Sequence, residues 1–153
     1  MTPSLATKYV FSLAIKVGQP ISAGEIGTGT RRVIPILGGE VKGENMRGTI
    51  FPCGADFQII RPNGFTELEA KYAFEMDDGA VIYIENLGIR FGPRDALERI
   101  KRGEPVDPAL IYFRSVPRFE TGSDKYRWLM ENLFIGVGAR HPDRVELDVH
   151  QVL

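Results

Sequence analysis

Apolar and polar residues alternate with period two along most of this chain, and that alternation predicts strands. In residues 8–17, Tyr9, Phe11, Leu13, Ile15 and Val17 fall on one face, with Lys8, Ser12 and Lys16 on the other. Gly18-Gln19-Pro20 ends that strand. Residues 31–37 form another, in which Pro35 implies an edge or a bulge. Between them, the glycine-rich run 23–30 lacks the lysine and hydroxyl residue that close a phosphate-binding loop and opens no amphipathic helix, so it reads as a turn or a bulged strand. Gly38-Gly39 and Gly43 bracket a turn, residues 47–51 are extended again, and Pro52-Cys53-Gly54 marks a corner.

The strongest pattern lies in residues 70–90, a β-hairpin around Asp77-Asp78-Gly79. A two-residue turn would pair Met76 with Val81 and mix both faces, with Tyr72 opposite Glu85. A three-residue loop with Gly79 left-handed pairs Met76 with Ala80. Ala70, Tyr72, Phe74 and Met76 then share a face with Asn86, Ile84, Ile82 and Ala80, and Lys71 sits opposite Glu85. The side-chain period makes the cleaner segregation the better register, so the three-residue loop is expected. The preceding loop, Pro62-Asn63-Gly64, read the same way, pairs Arg61 with Phe65 and Asp56 with Ala70. Together the two registers place Asp56, Ala70 and Asn86 in one row across three strands, on the face that carries Tyr72. The cost is that Phe57 and Ile59 point outward with Val81 and Tyr83, a face that suggests a homo-oligomer.

Residues 92–103 carry the clearest helical signal, with Pro93 suited to the first helical position, an apolar stripe of Ala96, Leu97 and Ile100, and Gly103 at the end. Residues 109–116 are a strand broken by Pro117, residues 126–133 make one or two helical turns, and 134–139 and 145–152 form a last pair around His141-Pro142-Asp143. No strand–helix–strand alternation and no fixed repeat occurs. The expected fold is all-β: a single antiparallel β-barrel, lipocalin-like, of roughly 8–10 strands with one or two short surface helices, because closure removes the exposed edges. A chain of 153 residues fits one domain spanning 1–153.

Composition narrows the function classes. Lys and Arg total 19 against 20 for Asp and Glu, and the basic residues are dispersed, so neither nucleic acid nor a membrane surface is an expected partner. The single cysteine, Cys53, excludes an internal disulfide and reads as a half-buried small residue. Two histidines, His141 and His150, far from Cys53 offer no metal-binding spacing, and no nucleotide fingerprint is present, so neither metal nor organic cofactor is expected. Without a long apolar run or a signal-peptide pattern, the cytoplasm is the default compartment.

The runs GTGTRRVIPILGGEVKG, GTIFPCGADFQIIRPNG, YAFEMDDGAVIYIENLGIR and YFRSVPRFETGSDKYRWLMENLFIGVGAR resemble the uncharacterised bacterial family known as domain of unknown function 3237, or uncharacterised protein family 0311. The resemblance spans about residues 5–152 and implies a small antiparallel β-barrel, with no activity assigned to the family as a whole. Its polar motif positions correspond to Arg32, Gly38, Gly39, Asp56, Tyr72, Asp78, Gly79, Asn86, Arg114, Phe119, Glu120 and Trp128. Phe57 departs from the pattern, where an indole often follows the GAD motif.

Among these, Asp56 is the candidate general base, because partial desolvation in an apolar barrel raises a carboxylate's pKa while a nearby arginine lowers it. Tyr72 is the candidate proton or oxyanion hydrogen-bond donor, and Asn86 would orient a carbonyl or hydroxyl. Arg32 and Arg114 would bind a substrate carboxylate or enolate, with Glu120 near the rim and Trp128 stacking on a planar ligand. Each has a structural alternative: turn amides for Asp56, loop chemistry for Asp78, aromatic packing for Tyr72, and a rim ion pair for Arg114 and Glu120. The expected function is binding of an unidentified small molecule. The expected chemistry is cofactor-independent acid/base catalysis of isomerase or lyase type on a small carbonyl-bearing or aromatic metabolite. A non-catalytic carrier or sensor and a structural oligomeric protein are the alternatives.

Overall fold

In a computed structural model describing residues 1–153, ten strands follow the alternation. They are β1 (Thr7–Val17), β2 (Ile21–Glu25), β3 (Thr30–Gly43), β4 (Met46–Ile50), β5 (Ala55–Ile60), β6 (Thr66–Met76), β7 (Val81–Phe91), β8 (Tyr112–Glu120), β9 (Phe134–Arg140) and β10 (Arg144–Val152). Two short helices interrupt them, α1 (Arg94–Lys101) and α2 (Trp128–Glu131). All pairings are antiparallel, running β1-β10-β9-β8-β7-β6, then through β4 and β5 to β3 and back to β1. Because β4 and β5 lie end to end between β6 and β3, the closed wall has eight strand positions, with β2 as an extra strand on β3. No helix is long and apolar enough to cross a membrane.

The two hairpin loops adopt the expected registers. The Met76 amide donates to the Ala80 carbonyl at 2.8 Å, Gly79 has φ +89°, and Asp78 caps the loop by accepting from the Ala80 amide. Arg61 likewise donates to the Phe65 carbonyl at 2.9 Å. Lys71 faces Glu85 across β6 and β7, and Asp56, Ala70 and Asn86 occupy one row.

Local expectations at Gly38-Gly39, Tyr9, Pro117 and Cys53 are corrected, and that at Pro35 is made specific. Gly38-Gly39 is not a turn: β3 runs through it, bending where its partners change from β2 and β5 to β1 and β4. Pro35 falls in the gap between the β2 ladder, which ends at Val33, and the β1 ladder, which begins at Ile36, so its missing N–H costs no bond on that side. Tyr9 is exposed because a bulge at Val10 shifts it off the inward face. Pro117 does not break β8; β9 pairs with β8 only at Arg114 and Ser115, and a strand tolerates proline where it has no ladder to donate to. Cys53 is exposed, since the corner it occupies lies outside the strands.

The interior is divided along the barrel axis. One end is filled by Phe11, Phe74, Phe119 and Phe134, with ring centroids 5.3–6.5 Å apart, and plugged by Leu129 of α2. Truncating one such ring to alanine costs about 3–5 kcal/mol in comparable cores. Over the other end lies α1, whose expected stripe Ala96, Leu97 and Ile100 is buried. Pro93 caps that helix rather than starting it.

Barrel closure rests on Gly39. Its φ is +141°, and a Cβ there would lie 1.9 Å from the Ala14 carbonyl oxygen on β1. Gly79 has a left-handed φ too, but open space around it. Gly79→Ala therefore carries conformational strain alone, about 1 kcal/mol, whereas Gly39→Ala adds a backbone clash and costs at least about 3 kcal/mol or prevents folding. Urea denaturation of the two variants checks this; equal losses would mean that closure does not depend on the approach at Gly39.

Candidate functional site

The end of the barrel under α1 holds a small cavity, about 40 Å³ open to the centre of a water-sized sphere. Two adjacent rows of inward residues build it. One runs Ile34, Asp56, Ala70, Asn86; the other runs Arg32, Gln58, Leu68, Gly88, Ser115 and Gly136. Ala70 and Gly88 are the small members that leave room between larger polar side chains. Tyr72, one inward step from Ala70, closes the floor against the aromatic layer, and Ile15, Ile36, Val145 and Leu147 supply apolar wall.

Asp56 is held by its own strand. Its Oδ2 accepts from Gln58 Nε2 at 2.8 Å, two residues on and therefore on the same face, while its Oδ1 is buried without a partner. Burial pushes the Asp56 carboxyl above the ordinary carboxylate range; the Gln58 hydrogen bond and the charges of Arg90 and Arg140 pull against that shift without cancelling it. Tyr72 is 2% exposed with an unpartnered hydroxyl, and burial, reinforced by the Asp56 charge, raises its pKa so far that it stays protonated. Asn86 Oδ1 and the Ser115 hydroxyl are also buried and unpartnered. A carboxylate with a free oxygen beside a neutral phenol can take a proton and stabilise the oxyanion that results.

Three arginines carry positive charge at this end, of which Arg140 lines the cavity, Arg32 lines the adjoining groove and Arg90 is buried in the wall. Arg90 continues the inward face of β7 past Gly88 and stands over the Phe113 ring at 5.8 Å. Arg140, at the end of β9, lines the cavity and donates to the carbonyls of His141 and Arg144. Arg32 donates to the Lys101 carbonyl at 3.3 Å, which places a cation at the C-terminal end of α1 and ties that helix to the barrel. Burial lowers the pKa of all three, Arg90 to about 10, so each remains charged at neutral pH.

Of the residues singled out in the sequence, Asp56, Tyr72 and Asn86 line the cavity and Arg32 stands at its edge. The other three lie elsewhere. Arg114 and Glu120 occupy the outward positions of β8, whose inward positions are Phe113, Ser115, Pro117 and Phe119. Arg114 stacks over Tyr112 at 5.1 Å and forms no ion pair with Glu120. Trp128 packs on Phe134 at 5.8 Å in the filled end of the barrel. Gln58, Arg90, Ser115 and Arg140 were missed. Extending the row of Asp56 by two, and that of Asn86 by four, would have found Gln58 and Arg90. No three His, Cys, Asp or Glu side chains gather as a metal-binding set.

The raised pKa of Asp56 has a stability consequence. Between the unfolded carboxylate value and the higher folded one, the native state binds more protons than the unfolded state, so stability falls as pH rises through that window. Asp56→Asn removes this loss. Urea titrations from pH 4 to 8 should show the variant gaining on wild type as pH rises, then a constant difference; a variant that gains as pH falls would mean that the arginines dominate Asp56.

The chain matches the family described as a protein of unknown function, DUF3237, over residues 5–152. It is 68% identical over 153 residues to a UPF0311 protein of Rhodopseudomonas palustris, covering the whole of both chains. The crystal structure of a conserved R. palustris protein of unknown function superposes over all of both chains with a TM-score of 0.95 at 65% identity. A beta-barrel like protein of Acinetobacter baumannii superposes over 100% of this chain and 99% of its own with a TM-score of 0.88 at 32% identity. A Penicillium herquei protein described as an enzyme shares the fold, with a TM-score of 0.74 at 18% identity, covering 100% of this chain and 98% of its own. The expected resemblance therefore holds along the whole chain, and the protein belongs to the DUF3237 family.

Proposed function

We propose that this barrel is a cofactor-independent acid/base enzyme acting on a small carbonyl-bearing molecule held in the cavity. The observation that carries the reading is the pairing of Asp56, whose buried Oδ1 is free and whose pKa is raised, with the unpartnered, protonated hydroxyl of Tyr72. Asp56 takes a proton from the carbon next to the substrate carbonyl, and the C–H electron pair moves into a new C–C double bond. The carbonyl π pair moves onto oxygen, where Tyr72 donates a hydrogen bond. Return of the proton to a different carbon gives isomerisation; expulsion of a leaving group from the next carbon gives elimination. Neither outcome requires an oxidant or a reductant.

Solvent-deuterium incorporation into a panel of small ketones, lactones, acids and phenols, read by mass spectrometry, tests the proposal. Asp56→Asn should lower exchange by about 10²–10⁴-fold while retaining binding, as expected for loss of a general base. The wild-type rate should rise with pH through an inflection above the ordinary carboxylate value, since the deprotonated form is the base. Tyr72→Phe should slow exchange without loss of stability, because it removes a buried hydroxyl that has no partner. Ligands that bind both wild type and Asp56→Asn without exchange in either would identify a carrier instead.

A further inference from the structure

Charge in the interior does not balance. Arg32, Arg90 and Arg140 share one end of the barrel with a single buried carboxylate, Asp56, and none of the four takes part in any of the molecule's ion pairs within 4 Å. Arg90 is 4% exposed, and its Nε and Nη1 have no acceptor; Arg32 Nε is also buried and unpartnered. An isolated buried guanidinium without acceptors is costly, and a site that keeps such groups has a counter-charge to receive.

We propose that the cavity takes an organic carboxylate with an apolar body, its charged end received by Arg140, with the buried Arg90 adding to the positive field, and its body by the apolar wall. This names the substrate class of the acid/base reading and rests on that cavity being the substrate site. Access has a matching chemistry. A groove beneath α1 is bordered by Arg32, Lys101, Arg102 and Arg140, and Val17 and Arg140 line both groove and cavity. A basic approach to a low-dielectric pocket draws anions inward. A carboxylate suits the site better than a phosphate, because one guanidinium in a largely apolar wall matches a single negative charge.

The test compares each acid with its neutral amide at constant ionic strength: benzoate with benzamide, phenylacetate with phenylacetamide, cinnamate with cinnamamide, by isothermal titration calorimetry on the full chain. At least one acid should bind at least about ten-fold tighter than its amide, the scale of a charged hydrogen bond. Arg140→Gln should abolish that preference and Arg90→Gln should weaken it, each costing the acid more affinity than its amide. The proposal is overturned if no acid binds better than its amide, or if the preference survives both substitutions. It is equally overturned if phenyl phosphate binds about ten-fold tighter than every acid. Asp56→Asn separates the two readings, because it should bind the preferred acid at least as tightly as wild type whether or not turnover occurs. Acid preference without deuterium exchange in any compound leaves the anion site standing and removes the catalytic reading. Exchange into neutral ketones without acid preference does the reverse.

Discussion

Everything at the site depends on the closure of one sheet through β3. That strand pairs with β5 and β2 along its first half and with β1 and β4 along its second, so its inward residues are shared between two parts of the wall. Closure removes every long free edge and commits alternate side chains of each strand to a single interior. A one-residue slip anywhere in the β5, β6 and β7 ladders would move Asp56 or Asn86 to the solvent face and break the row that makes the cavity.

The filled end makes the charged end tolerable. Buried guanidiniums and a buried carboxylate with some of their polar atoms unpartnered destabilise a fold. The aromatic layer of Phe11, Phe74, Phe119 and Phe134, continued by Ile82, Ile84 and Leu129, buries apolar area where no polar group intrudes. Tyr72 marks the boundary, belonging both to the packed aromatic layer and to the cavity lining. The same device recurs at the mouth, where Arg32 gives one donor to the last carbonyl of α1 and so holds the covering helix with a charge that the cavity also feels.

Periodicity carried most of the fold and part of the site. The hairpin registers were legible because only one loop length separates apolar from polar positions, and they sufficed to place Asp56, Ala70 and Asn86 together. Parity is not legible in β8, where Tyr112, Phe113, Val116, Pro117 and Phe119 leave both faces apolar, so nothing there corrects the choice of Arg114 from the family resemblance, although the adjacent Ser115 is the inward residue. Trp128 lies in a helix whose position along the barrel axis no local pattern specifies. Arg90 and Arg140 sit near strand ends, where a polar residue reads as the onset of a loop. Only the three-dimensional stagger of the barrel brings β3, β7 and β9 to the same mouth.

Asp56 is the group on which these opposing effects meet. Burial drives its pKa up, and the guanidiniums of Arg90 and Arg140 hold it down. An organic anion settling on those guanidiniums would cancel much of their field at Asp56, because opposite charges in a low-dielectric site screen one another at short range. The carboxylate would then become more basic when the site is occupied than when it is empty. In such an arrangement the ligand would strengthen the base that acts on it. The unbalanced arginines and the raised carboxylate both follow from burying charge at one end of the barrel, and a bound anion would act on both at once.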